Sequence, residues 1–103
     1  MGQDDIIIIR KTRIKPKVEK PKLYKVILFN DDYTPREFVE MVLQAVFRTG
    51  DAVAHRIMIT AHQKGKCVVA VYAKDIAETK VTEAMDHAKE AGFPLMFTAE
   101  PEE

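Results

Sequence analysis

Apolar residues recur along this chain in two rhythms, and the switches between them divide most of it into six elements. Leu23 to Phe29 is short and rich in β-branched and aromatic side chains, which predicts a strand buried on one face. Phe38, Met41, Val42, Ala45 and Val46 then repeat at helical spacing, with Gly50 expected to supply a left-handed exit. A second helix follows, with Asp51 as its expected cap and Ala54, Ile57, Met58 and Ala61 as its apolar stripe. His62 lies in its last turn and Gly65 closes it. Cys67 to Tyr72 predicts a second strand. Asp75 and Glu78 have capping-box spacing for a third helix striped by Val81, Ala84, Met85 and Ala88, and Gly92 and Pro94 stop it. Leu95 to Ala99 reads as a last short strand before an acidic tail, Glu100 to Glu103. The order is βααβαβ, which predicts a small two-layer α+β domain: a three-stranded, antiparallel sheet packed with three helices.

The 103 residues suffice for one modest core. Charge is balanced overall but unevenly spread. The first 22 residues hold seven Lys or Arg against three acids, a surplus of four positive charges that the rest of the chain offsets. An acidic folded part argues against a grip on nucleic acid, since neutralised phosphates supply most of that affinity. Lys15 to Lys22 sets Pro16 and Pro21 among charges and cannot bury enough apolar surface to order itself. Residues 1–22 are therefore expected to be a flexible basic extension and residues 23–103 the folded domain. The isoleucine run Ile6 to Ile9 is open to three readings: a sticky strand, a patch for a partner, or the end of a tag-like leader. It is far short of the roughly 18 residues of a membrane span and lacks the apolar stretch of a secretory signal. Cys67 is the one cysteine, so an intrachain disulfide is impossible. A cytoplasmic monomer without membrane association is expected.

Candidate chemistry concentrates at Asn30 to Glu37, Asn-Asp-Asp-Tyr-Thr-Pro-Arg-Glu. Thr34 as cap, Pro35 at the first helical position and Glu37 three residues after Thr34 spell a capping box. Asn30, Asp31 and Asp32 then stand at a rigid corner. Such residues suit a simple turn; they also suit a cationic ligand, because a carboxylate offers only lone pairs and a protonated amine only donors. Catalysis finds little to work with. The chain has no Ser, Thr34 is assigned to capping, and Cys67 is expected to be an ordinary buried thiol. The four glycines are isolated, so no phosphate-binding loop is present. His55, His62 and His87 read as helix-surface residues. Asp31, Asp32 and His62 lack the usual spacing of metal ligands, and neither a metal nor another cofactor is expected.

The segment Leu23 to Val39, Leu-Tyr-Lys-Val-Ile-Leu-Phe-Asn-Asp-Asp-Tyr-Thr-Pro-Arg-Glu-Phe-Val, closely resembles the ClpS adaptor family. Ala61-His62 followed by Gly65-Lys66, and Ala77-Glu78-Thr79-Lys80-Val81, resemble two further signatures of that family in the same order, so the likeness runs from Pro21 to Pro101. It implies a protein that is not an enzyme. Such adaptors recognise other proteins by a destabilising N-terminal residue (an N-degron) and hand them to the ClpA-type AAA+ unfoldase of the Clp protease. Position by position, the resemblance implies that Asn30, Asp31, Asp32 and His62 surround the substrate's α-amino group. It implies that Leu28, Thr34, Arg36, Val39, Met58, Ala61 and Leu95 surround the first side chain, and that Asp75 and Lys80 face the unfoldase's N-terminal domain. The leader would help engage the unfoldase. Two departures bear on specificity: Arg36 stands where the family commonly has Met, and Ala61 where it has Val. A roomier pocket favouring Phe, Tyr and Trp over Leu is the expectation. A protein-docking module without amine preference, or a small hydrolase using a metal on Asp31, Asp32 and His62, are the competing readings.

Overall fold

The structure, a computed structural model, describes residues 21–102. Strand β1 (Leu23–Phe29) is the middle of the sheet, hydrogen-bonded antiparallel to β2 (Lys66–Ala73) on one side and to β3 (Met96–Pro101) on the other. Helices α1 (Arg36–Phe47) and α2 (Asp51–Lys64) connect β1 to β2, and α3 (Lys74–Ala91) connects β2 to β3. The expected α+β order βααβαβ and the three-stranded antiparallel sheet are therefore what the chain forms.

Side chains alternate across a strand, so Tyr24, Val26 and Leu28 point from β1 to one face while Leu23, Lys25, Ile27 and Phe29 point to the other. The first face meets the helices: Val26 and Leu28 belong to the core with Val42 and Leu43 of α1, Ala54 and Ile57 of α2, Ala77, Ala84 and Ala88 of α3, and Phe97 of β3. Each large member adds about 1.5–3 kcal/mol by leaving water. Phe47 and Phe97 close this core with ring centroids 5.4 Å apart. In β2 the register shifts opposite Val26 and Ile27, leaving Val69 as an extra residue in a β-bulge.

Several local expectations are corrected. The stripe of α1 is Val39, Val42, Leu43, Val46 and Phe47, whereas Met41 and Ala45 are exposed. The sheet-facing side is set by Leu43 and Phe47, whose bulk the core takes in. None of the three helices has a side-chain cap bond, and their N-caps are Pro35, Gly50 and Ala73. Asp51 and Asp75 lie instead inside their first turns, where a carboxylate still favours the positive end of the helix dipole. At the other ends, Gly65 and Gly92 adopt the expected left-handed geometry at φ 93° and 81°. The left-handed residue after α1 is Arg48, φ 59°, and not Gly50, φ −77°.

No helix among the described residues is long and apolar enough to cross a membrane. The expectation of a flexible basic extension over residues 1–22 falls, but for Pro21 and Lys22, outside the described residues, and so does that of a role for Ile6–Ile9.

Candidate functional site

Where β1 ends, the chain turns a corner before α1, and the bonds there come from Asp31. Its Oδ1 accepts from the backbone N–H groups of Tyr33 and Thr34, both at 2.8 Å. The Thr34 hydroxyl lies 3.0 Å from Oδ1 and 2.9 Å from Oδ2, and it donates to this carboxylate. That explains why the capping box does not form: the hydroxyl meant for the helix is already taken. Thr34 is buried as a result, at 8% exposure. Next door, the Asn30 N–H donates to the Gly65 carbonyl at 3.0 Å and ties the end of β1 to the end of α2. The last turn of α2 is thereby held against the corner.

These ties gather residues from five stretches of chain around one cavity of about 340 Å³. Leu28, Val39, Met58, Ala61 and Leu95 line it, and each of these apolar side chains is buried. Met58, Ala61 and His62 share a helix face, being three and four residues apart. Asn30, Asp31, Asp32 and His62 line the same cavity and bring acceptors to it, with Thr34, Arg36, Phe29 and Pro35 completing the wall. Every residue expected at the amine site or the side-chain pocket thus meets at one place. Phe29 and Pro35 were missed, although each adjoins a residue that was named.

Asp31 spends its carboxylate inside the corner. Asp32, Asn30 and His62 make no side-chain hydrogen bond to another described residue and are exposed. Buried apolar walls below and unpaired acceptors above are what an amphiphilic cation would fit, charge at the mouth and hydrocarbon inside. The volume is at the small end of the range for ligand pockets, about 300–1,000 Å³, and suits one large side chain.

Cys67 lies away from this cavity, half-buried, with its thiol 3.4 Å from the Val68 carbonyl. Burial pushes its pKa up, with Arg56 and Lys64 opposing by their positive charge. A thiol so held is a poor nucleophile. Among the described residues, no group of three or more His, Cys, Asp or Glu could hold a metal ion.

Asp75 and Lys80 sit elsewhere, on the first turns of α3. The Asp75 carbonyl accepts from the Thr79 hydroxyl at 2.9 Å, and its side chain is not a cap. Lys80 Nζ donates to the Val46 carbonyl at 2.9 Å, a cation against the negative end of α1.

Comparison with known proteins follows the same outline. The family described as ATP-dependent Clp protease adaptor protein ClpS matches residues 19–98. The chain is 62% identical over 103 residues to ATP-dependent Clp protease adapter protein ClpS 2 of Rhizobium meliloti, with all of both chains covered. It is 59% identical over 103 residues, again the full length of both, to the ClpS 2 protein of Agrobacterium fabrum. Its fold is similar to a solved structure of Agrobacterium tumefaciens ClpS2 bound to L-phenylalaninamide, with a TM-score of 0.79 and 65% identity. That likeness covers 81% of this chain and 100% of the other. With a family match over most of its length and full-length relatives at this identity, the chain belongs to the ClpS family of Clp protease adaptor proteins.

Proposed function

We propose that this protein recognises the first residue of other polypeptides, taking the free α-amino group at the mouth of the cavity and a bulky side chain within it, and delivers them to a ClpA-type unfoldase. One observation carries the reading: a buried apolar cavity meets a rim of acceptors at Asn30, Asp32 and His62 whose side chains bond no other described residue. An ammonium has three donors and no acceptor, so a carboxamide oxygen, a carboxylate and a neutral imidazole nitrogen can each take one hydrogen bond. Asp31 holds the corner on which the others stand. L-Phenylalaninamide, the ligand of the similar Agrobacterium tumefaciens structure, has this pairing of free amine and aromatic side chain.

The side chain supplies much of the affinity. An aromatic residue buries about 150–250 Å², roughly 4–6 kcal/mol at about 25 cal/mol per Å², before ordering and desolvation take their share. Only with the hydrogen bonds of the amine added is affinity of order micromolar expected. Ala61 adds room in the cavity wall, and Arg36 can lay its stem over the entrance with its charge in water. Phe, Tyr and Trp are therefore preferred over Leu, which underfills the space. Asp75 and Lys80 form the surface for the unfoldase's N-terminal domain, and residues 1–22 help to engage the unfoldase during delivery. The protein works as a cytoplasmic monomer without cofactor.

Fluorescence anisotropy with a Phe-leading peptide tests the amine reading. Acetylating that peptide's N-terminus should weaken binding by about 100-fold, the value of one or two charge-assisted hydrogen bonds. Equal binding of both forms would leave a docking module without amine specificity. Replacing Ala61→Val should narrow the difference between Phe-leading and Leu-leading peptides, and no change there would overturn the account of specificity.

A further inference from the structure

One charge in the wall of the cavity has the wrong sign to hold an ammonium. Among the described residues that line the cavity, Arg36 is the one Lys or Arg. It is exposed, and its guanidinium makes no hydrogen bond or ion pair with another described residue. On a helix the natural partner of a side chain stands four residues on, and for Arg36 that residue is Glu40. Glu40 is turned instead toward α2, where its Oε2 lies 2.9 Å from His55 Nδ1. A guanidinium, five donors in a planar fork, is thus kept at the entrance of the cavity with its acceptors still to be supplied.

We infer that Arg36 reads the second residue of the bound polypeptide and selects an acidic side chain there, Glu or Asp. The inference rests on the reading of the cavity as a site for a free amine and a first side chain, and adds the next position to it. With the first side chain directed inward, an extended chain sends the second to the opposite side, out of the cavity and toward water. An exposed arginine at the entrance is suited to meet it there, because its stem covers apolar wall while its charged head stays wet. Successive Cα atoms are about 3.8 Å apart, so the second side chain leaves close to the first and within the span of a long guanidinium side chain. Carboxylate and guanidinium also match in shape, through two parallel N–H···O bonds. The charges of the wall favour the same choice. Two carboxylates, Asp31 and Asp32, and one guanidinium line the cavity, and the incoming ammonium balances the difference. A Glu in second place then finds an opposite charge, and a Lys finds a like one. Without Arg36 the carboxylates outnumber the ammonium, and the preference reverses.

Fluorescence anisotropy on the full-length chain tests this with three free-amine peptides that begin Phe-Glu, Phe-Gln and Phe-Lys and are otherwise identical. The expected order of affinity is Glu, then Gln, then Lys, with about two- to fivefold between Glu and Gln, the range of an exposed ion pair. Raising the salt to about 1 M, where the screening length falls to about 3 Å, should close most of that gap. Arg36→Met keeps an unbranched apolar stem and removes the charge; it should abolish the preference for Glu or turn it toward Lys. Because the ratio between peptides is read, a general change in affinity does not enter. Equal binding of the three peptides by the parent chain, or a preference for Glu that survives in Arg36→Met, would overturn the inference. An acetylated Phe-Gln peptide keeps the two readings apart. If it binds as tightly as the free form, the amine site itself falls, whereas amine-dependent binding that ignores the second residue removes the role of Arg36 alone.

Discussion

Asp31 accepts from the N–H groups of Tyr33 and Thr34 and from the Thr34 hydroxyl, so losing its carboxylate strands three donors at once. Asp31→Ala is therefore expected to lower stability by about 1–3 kcal/mol and to abolish peptide binding with it. Asp32 has no such partner among the described residues, and Asp32→Asn should leave the urea midpoint unchanged while weakening a Phe-leading peptide about tenfold, one charge-assisted bond's share. A fall in stability for Asp32→Asn, or none for Asp31→Ala, would reverse these roles. His62 offers a ring nitrogen that accepts a hydrogen bond from an ammonium. His62→Ala should therefore weaken a Phe-leading peptide about tenfold, and unchanged affinity would remove His62 from amine recognition.

At the scale of elements, α2 was the most legible part of the chain. Ala54, Ile57, Met58 and Ala61 lie at spacings of three and four with polar residues between most of them, and all four are buried. Helix α1 was less so, because Met41 and Ala45 are apolar yet exposed, and hydrophobicity alone does not tell which side of a helix with surplus apolar residues turns inward. The caps misled for a different reason. Thr34, Asp51 and Asp75 are residue types that cap helices, but a side chain bonds whichever partner the tertiary corner brings near, and for Thr34 that was Asp31. The cavity itself could not be found from spacing. Leu95 and His62 are 33 residues apart in the chain, and only the sheet order and the Asn30–Gly65 bond bring them to one wall; the family resemblance carried that information and periodicity did not. The vacant cap of α2 can be filled. Gly50→Ser supplies the missing acceptor and restricts the unfolded chain, and should raise stability by about 0.5–1 kcal/mol. Gly65→Ala, at φ 93° with nothing within 4 Å of the added methyl, should cost about 1–2 kcal/mol from backbone strain alone. Thermal denaturation of both variants checks the pair, and equal shifts would show the two glycines to be equivalent.

For the molecule as a whole, β1 is the shared member. Leu28 is at once a core side chain beneath the helices and part of the cavity wall, so the pocket and the core form together. The inner face also sets the response to alkali. Burial raises the pKa of Cys67 and of Tyr72, the two acid groups of β2 that turn toward the helices. Their folded values lie above the ordinary 9.0 and 10.0, so the stability they contribute is complete below those values and is lost as pH rises through the folded ones. The denaturation midpoint should therefore be level from neutral pH to mild alkali and fall above it, with the fall reduced in Tyr72→Phe. A midpoint unchanged into strong alkali would contradict this.

The bulge in β2 has a consequence of its own. Because Val69 is the surplus residue opposite Val26 and Ile27, Cys67 and Tyr72 face inward and Val68 and Val71 outward on either side of it. A chain lacking Val69 would keep all four side chains pointing as they now do, shortening the strand without turning it inside out. The same cut in the middle of β1 would invert half of that strand, sending buried groups to water.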